Sequence, residues 1–345
     1  MNELIREKCD LLAGNCSAIH KKFLLEAKLM SVASGMIFTS VDREADTAKM
    51  KECRKLLEKK TGILSNYRQT TELMILSKMA LSDDPEKYLS DLITAYKSIS
   101  KGKFLENSYM VLAAILICDF DRINELDDIS AKAKEIMKRM NKEHPMLTDS
   151  GDTSFAVLLA LSYKNVDTII KDIDECYDYL KNTCKCKASS DALQGLSEVL
   201  AVSYGDMKEK CDKAIRIFSA FKERSVDYSK GNEFIALGSL VDADLDPDTL
   251  VNEIIEAEAY LKEKNGFGNS VMDKEKRLMY AVLVVADACG GNSAIANNSM
   301  VSSTLSIIFA KRLSVFVSII TNVISAVASK KASDSEDNSE DHDRT

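Results

Sequence analysis

An apolar run that ends in a short polar break recurs six times, and this recurrence limits the fold more than any other feature of the chain. The runs are Leu73–Leu81, Met110–Ile117, Phe155–Leu161, Leu193–Val202, Phe234–Val241 and Leu278–Val285, and their last residues stand 36 to 44 residues apart. That spacing is the size of a two-helix unit. Ahead of each run lies an amphipathic segment whose apolar residues keep the helical period, as in Leu89, Leu92, Ile93, Tyr96 and Ile99, or Ile169, Ile170, Ile173, Cys176, Tyr177 and Leu180. One face of such a first helix is wet. The second helix is apolar nearly all round, so its partner and the neighbouring units must cover it on more than one side.

Composition agrees: 13 glycines and 3 prolines in 345 residues leave too little turn chemistry for a sheet protein. The chain is therefore expected to be all-α, with at least twelve helices in repeated antiparallel pairs. Such pairs form an open α-α superhelix (an α-solenoid) or, as the alternative, a closed α/α toroid. Residues 1–45 read as a less regular capping pair and 46–298 as six helix pairs. Residues 299–330 read as an apolar closing helix, and 331–345 as a disordered acidic tail.

The turn inside the unit also recurs. Leu57 is followed six residues later by Ile63 with Gly62 before it, and Leu261 six later by Phe267 with Gly266 before it; Phe104 and Met146 fill the same place elsewhere. Glycine is expected to supply the left-handed residue that ends the first helix, and the apolar residue after it to fold back as a plug. Asp84-Pro85 and Asp246-Pro247 sit where the next unit begins, with Pro at the first helical position.

The stretches Lys60-Thr-Gly-Ile-Leu-Ser-Asn-Tyr-Arg68, His144-Pro-Met-Leu-Thr-Asp-Ser-Gly-Asp152, Phe155–Leu161 and Leu261-Lys-Glu-Lys-Asn-Gly-Phe267 fall in one order. In that order the chain resembles a bacterial family known only as a domain of unknown function (domain of unknown function 4003), over roughly residues 45 to 310. The resemblance implies an intracellular helical protein with no assigned activity, so it transfers no functional residue. The chain departs from the family pattern where the Gly-aromatic turn becomes Cys184-Lys-Cys186 and Ser225-Val226, and in its acidic tail.

Charge narrows the partner. With 46 basic against 54 acidic residues the formal charge is −8, which disfavours nucleic acid. Ser333–Thr345 alone holds six acids and no apolar side chain. Nine cysteines scattered through helical patterns, behind an N-terminus charged from its third residue, point to reduced thiols in a cytoplasmic protein. Cys184-Lys-Cys186 lacks the further ligands a zinc site needs, so no metal and no cofactor are expected. In the last helix, the seventeen uncharged residues Leu313–Ser329 cover only about 26 Å at 1.5 Å per residue. Membrane contact through them is an alternative that is not favoured.

Catalytic chemistry is scarce. His20 and His342 lie in surface contexts, and His144 precedes Pro145 at a helix end. The carboxylate pairs Asp83-Asp84, Asp127-Asp128 and Asp149 with Asp152 fall at helix boundaries, where Asp caps free amides. What remains is the row of polar residues at the openings of the second helices, namely Arg68, Asn107, Asp149, Asp152, Gln194, Asn232 and Arg277. Stacked units would gather them along one edge. The favoured expectation is a scaffold without catalytic activity that grips a protein or peptide there. The rival is an enzyme in a closed ring, with Asp149 or Asp152 as acid or base and Arg68 or Arg277 holding an anion.

Overall fold

The computed structural model describes residues 1–24, 28–62, 65–68, 71–101, 108–143, 152–202 and 205–289. Among the described residues the chain is helix and turn, with no strand. The expected closing helix at 299–330 and the tail at 331–345 lie outside them, as do Ile63, Phe104, Asn107, His144, Met146 and Asp149.

Each amphipathic segment is a helix followed by one that carries an apolar run. The pairs are α1 (Glu3–Lys22) with α2 (Lys28–Thr39), α3 (Thr47–Lys60) with α4 (Glu72–Leu81), and α5 (Pro85–Ser100) with α6 (Ser108–Asp119). Then come α7 (Leu126–Glu143) with α8 (Thr153–Leu161), and α9 (Val166–Asp178) with α10 (Ser190–Val202). Next, α11 (Met207–Glu223) pairs with a 3-10 helix, Asn232–Leu240, and α12 (Pro247–Lys262) with α13 (Lys274–Cys289). The members of every pair pack on each other. Burial follows the pattern: Ser108–Ile117 of α6 and Thr153–Leu161 of α8 are buried without a break, whereas α7 buries only one stripe, from Leu126 to Met140.

The first helices touch one another in chain order, α1 to α3, α5, α7, α9, α11 and α12, and α12 in turn touches α1. α1 also packs on α13, so the last apolar helix among the described residues is in contact with the first.

The starts and stops have local causes. Asp46, Asp84, Asp206 and Asp246 each accept the backbone N–H three residues on, and Pro85 and Pro247 open their helices as expected. Asp127 and Asp128 stand in the first turn of α7, at the positive end of its dipole. A device not read from the sequence closes the far ends. Lys8, Lys49, Lys132 and Lys213, on the outer helices, donate to the carbonyls of Thr39, Ser82, Ser162 and Ala243, 30 to 33 residues later. These carbonyls end the second helices or lie just beyond them, where backbone acceptors lack an intrahelical donor, so a cation serves as both cap and counter-charge.

Small residues let the second helices approach. Ser34 Oγ donates to Leu73 O (3.1 Å) between α2 and α4, and Ser154 Oγ to Tyr109 O (3.1 Å) between α8 and α6. Between α10 and the 3-10 helix two glycines do the same work. A Cβ on Gly195 would stand 2.5 Å from Ile235 Cδ1, and one on Gly238 2.7 Å from Val199 Cγ1. Ile235 can swing its terminal methyl aside, whereas the β-branched Val199 is fixed at χ1. Gly238→Ala is therefore expected to destabilise the protein by about 1–3 kcal/mol and Gly195→Ala by less, in urea unfolding. Equal costs would mean that the contact at Val199 is not the tight one.

The joint between α1 and α13 is polar at its centre. Lys8 Nζ of α1 lies 2.6 Å from Asp287 Oδ2 of α13 and 2.6 Å from Asp42, with Lys8 and Asp287 almost wholly covered. Burial pushes the Asp287 carboxyl up to about 6, despite Lys8. Burial alone would lower Lys8, but its bonds to Asp287 and Asp42 hold the ammonium above the usual lysine range. Around this pair, Lys264 reaches Asp10 at 2.6 Å, Tyr260 donates to Asp10, and the N-terminal ammonium meets Glu256. A carboxyl whose pKa is raised on folding contributes stability that is complete below its unfolded value near 4 and is lost as pH rises through about 6. Lys8→Met leaves ionised Asp287 buried, and should cost about 3–5 kcal/mol at pH 7.5. That deficit should shrink by pH 5.5 as Asp287 takes up a proton, and urea titrations at the two pH values check it. A deficit independent of pH would show that this pair does not anchor the joint.

Candidate functional site

Five residues of the expected edge, Arg68, Asp152, Gln194, Asn232 and Arg277, lie within the described residues, each in its own surroundings. Arg68, on a short 3-10 turn, gives Nη2 to Glu58 Oε1 at 3.0 Å. Asp152 occupies the N-cap position of α8 and is fully buried, but its side chain makes no capping bond. Gln194 is buried in the first turn of α10 and donates to Glu198 Oε1 at 2.8 Å. Asn232 opens the 3-10 helix, half-buried.

Arg277 is buried in the first turn of α13. Its guanidinium reaches Glu258 Oε1 (2.6 Å), Phe267 O (3.0 Å), Met272 O (2.9 Å) and Asn269 Oδ1 (3.1 Å). It fastens the turn between α12 and α13. Within that turn Gly266 is left-handed (φ 92°) and Phe267 is fully buried, which is the expected plug. Gly62 is not left-handed.

The two turns that depart from the Gly-aromatic pattern keep its backbone. Lys185 (φ 51°) and Ser225 (φ 57°) take the left-handed conformation without glycine, a strain of about 1–2 kcal/mol each, and Cys186 and Val226 follow them, half-buried. The reason is visible in the helix ends. Cys186 N–H donates to Leu180 O (3.0 Å) and Val226 N–H to Phe221 O (2.9 Å), closing bonds that require a left-handed residue before the donor. A π-helical turn, Tyr179–Thr183, precedes the first of these turns, and such widenings occur often at functional sites.

These two turns lie side by side, tied by Ser189 N–H donating to Lys230 O (2.8 Å), and between them is a groove of about 420 Å³. Its floor is apolar: Ile215, Phe218, Val226 and Tyr228. The floor is also held rigidly. Phe218 meets Phe234 edge-on at 5.1 Å, Tyr228 stacks on Phe221 at 4.8 Å, and the Tyr228 hydroxyl donates to Glu233 O. The rim carries Lys185, Lys187, Lys222 and Lys230, all exposed, against one carboxylate, Asp227, which is 3.6 Å from Lys230. Burial raises the thiol pKa of Cys184 and Cys186, so neither is an activated nucleophile.

A larger hollow of about 610 Å³ lies between α9 and α11, where Asp172, Asp174, Glu175, Asp178 and Asp206 stand against one cation, Lys208. Among the described residues no group of His, Cys, Asp and Glu is placed to hold a metal ion. Neither hollow is lined by Arg68, Asp152, Gln194, Asn232 or Arg277. The lysine rim escapes a linear reading because its members come from two turns some forty residues apart; its signal, lysines flanking Cys184 and Cys186, looks like a metal motif.

The family described as "Protein of unknown function (DUF4003)" matches residues 15–313. The chain belongs to this family. No curated protein and no solved structure matches it. Family membership thus assigns no activity.

Replacing Arg277 by Met strands Glu258, which is nearly covered, and leaves two carbonyls without a donor. The expected loss is about 3–5 kcal/mol, with little change in any ligand binding at the lysine-rimmed groove. Thermal unfolding and a binding titration separate the two, and a variant that stays stable would show Arg277 to be a spare cation.

Proposed function

We propose that this protein is a non-catalytic binding scaffold of the cytoplasm. In this reading, seven helix pairs close into a ring with the apolar second helices inside. The groove between the turns at Cys184–Ala188 and Ser225–Lys230 grips a peptide segment that bears both acidic and apolar side chains. The observation that carries the reading is the pairing of a rigid apolar floor with four exposed lysines in one 420 Å³ groove. The ring is supported by the contacts of α1 with α12 and α13, and the cytoplasmic setting by nine free thiols.

The enzyme alternative has less support: Arg277 is engaged on all sides, Arg68 pairs with Glu58, and Asp149 lies outside the described residues. Membrane contact through Leu313–Ser329 also falls outside them, and among the described residues no helix is long and apolar enough to cross a membrane.

The test is fluorescence anisotropy with a labelled peptide that alternates Glu and Leu, against a basic peptide of equal length. The acidic peptide should bind more tightly and lose affinity with salt. The double variant Lys222→Glu/Lys230→Glu should bind it about tenfold or more weakly, since two attractions of up to about 1 kcal/mol each become repulsions. Equal binding of both peptides, or a double variant that binds as well as the original, would overturn the reading.

A further inference from the structure

We propose that the chain's own acidic tail, residues 333–345, is a resident and displaceable occupant of the lysine-rimmed groove. The inference rests on the peptide-site reading above and names the first partner of that site. Complementarity is the primary argument. The rim sets Lys185, Lys187, Lys222 and Lys230 against Asp227 alone, while Asp334, Glu336, Asp337, Glu340, Asp341 and Asp343 face only Arg344 as a full cation. The acidic hollow between α9 and α11 would repel the same segment.

Reach does not prevent it. From Cys289 to Ser333 the chain has residues 290–332 to spend. Even at a helical rise of 1.5 Å per residue that is roughly 65 Å, and a compact chain of this size has a radius of gyration of only about 19 Å. Tethering adds to this, because a segment on the same chain sits at an effective concentration near the millimolar range, above that of most free partners.

The tail has no apolar residue, so it meets the rim and leaves the floor of Phe218, Val226 and Tyr228 unused. A partner that brings acidic and apolar side chains together makes both sets of contacts and displaces it.

Two measurements on the full chain test this. First, carbodiimide cross-linking, which joins carboxylates to amines without a spacer, is read by mass spectrometry on a mixture of ¹⁴N and ¹⁵N protein. Tail carboxylates should join Lys185, Lys187, Lys222 or Lys230 within one molecule, and the products should fade in 0.5 M salt. Links spread over lysines elsewhere, or links between molecules only, overturn the proposal. Second, the Glu/Leu peptide is titrated into the original chain and into a full-length variant whose six tail acids are changed to Asn or Gln. The neutral tail should tighten binding about 3- to 10-fold. A peptide that binds both forms equally, yet is weakened by the lysine reversals, sinks the tail proposal and leaves the peptide site standing. Tail links to the four lysines in a protein that binds no peptide support the tail proposal and sink the peptide site.

Discussion

Helices that are apolar on every side cannot end an array. α6, α8 and α13 bury their faces without interruption, so each needs neighbours before, behind and alongside. In an open stack the first and last such helices would each show a bare flank to water, at about 25 cal/mol for every Å² left uncovered. Here one flank of α13 meets α1. The joint is built differently from the rest of the core. The contacts of α2 with α4 and of α6 with α8 are apolar with serine bonds, but α1 meets α13 through Lys8 and Asp287, and the α12 segment through Asp10, Tyr260 and Lys264. A charged joint contributes less net stability than an apolar one, but it specifies which two helices meet: either charge buried alone costs several kcal/mol.

What could be read in advance were the features with a period. Helix existence and order follow from apolar spacing, and the caps from Asp-Pro dipeptides, because these depend on residues within a turn or two of each other. The 3-10 geometry of Asn232–Leu240 was not legible, since it answers to the close approach at Gly195 and Gly238, which are 43 positions apart. The lysines that cap the far helix ends are invisible for the same reason: the donor precedes its acceptor by 30 or more residues. The polar residues opening the second helices marked an edge in the sequence, but whether each faces water or the interior depends on the neighbouring unit. Gln194 and Arg277 turned inward and found buried carboxylates, while Arg68 stayed partly exposed.

The groove lies at the turns just ahead of the helices that carry Gln194 and Asn232. Rigid helix pairs leave their freedom to vary in the turns, where a changed side chain disturbs no packing. At Gly266 the family-like turn uses glycine and a buried Phe267. At Lys185 and Ser225 the same left-handed backbone is held without glycine, which costs stability and returns none through packing at those side chains. Lysine in that conformation puts a charge at the rim where glycine would put nothing. The two strained turns are neighbours, they are tied to each other through Ser189 and Lys230, and they enclose one apolar floor. Asp42 and Asp121 take the same left-handed conformation elsewhere, so what sets Lys185 and Ser225 apart is that they stand on the two walls of one apolar-floored groove, where the packed helices beneath supply the energy that holds the turns in shape.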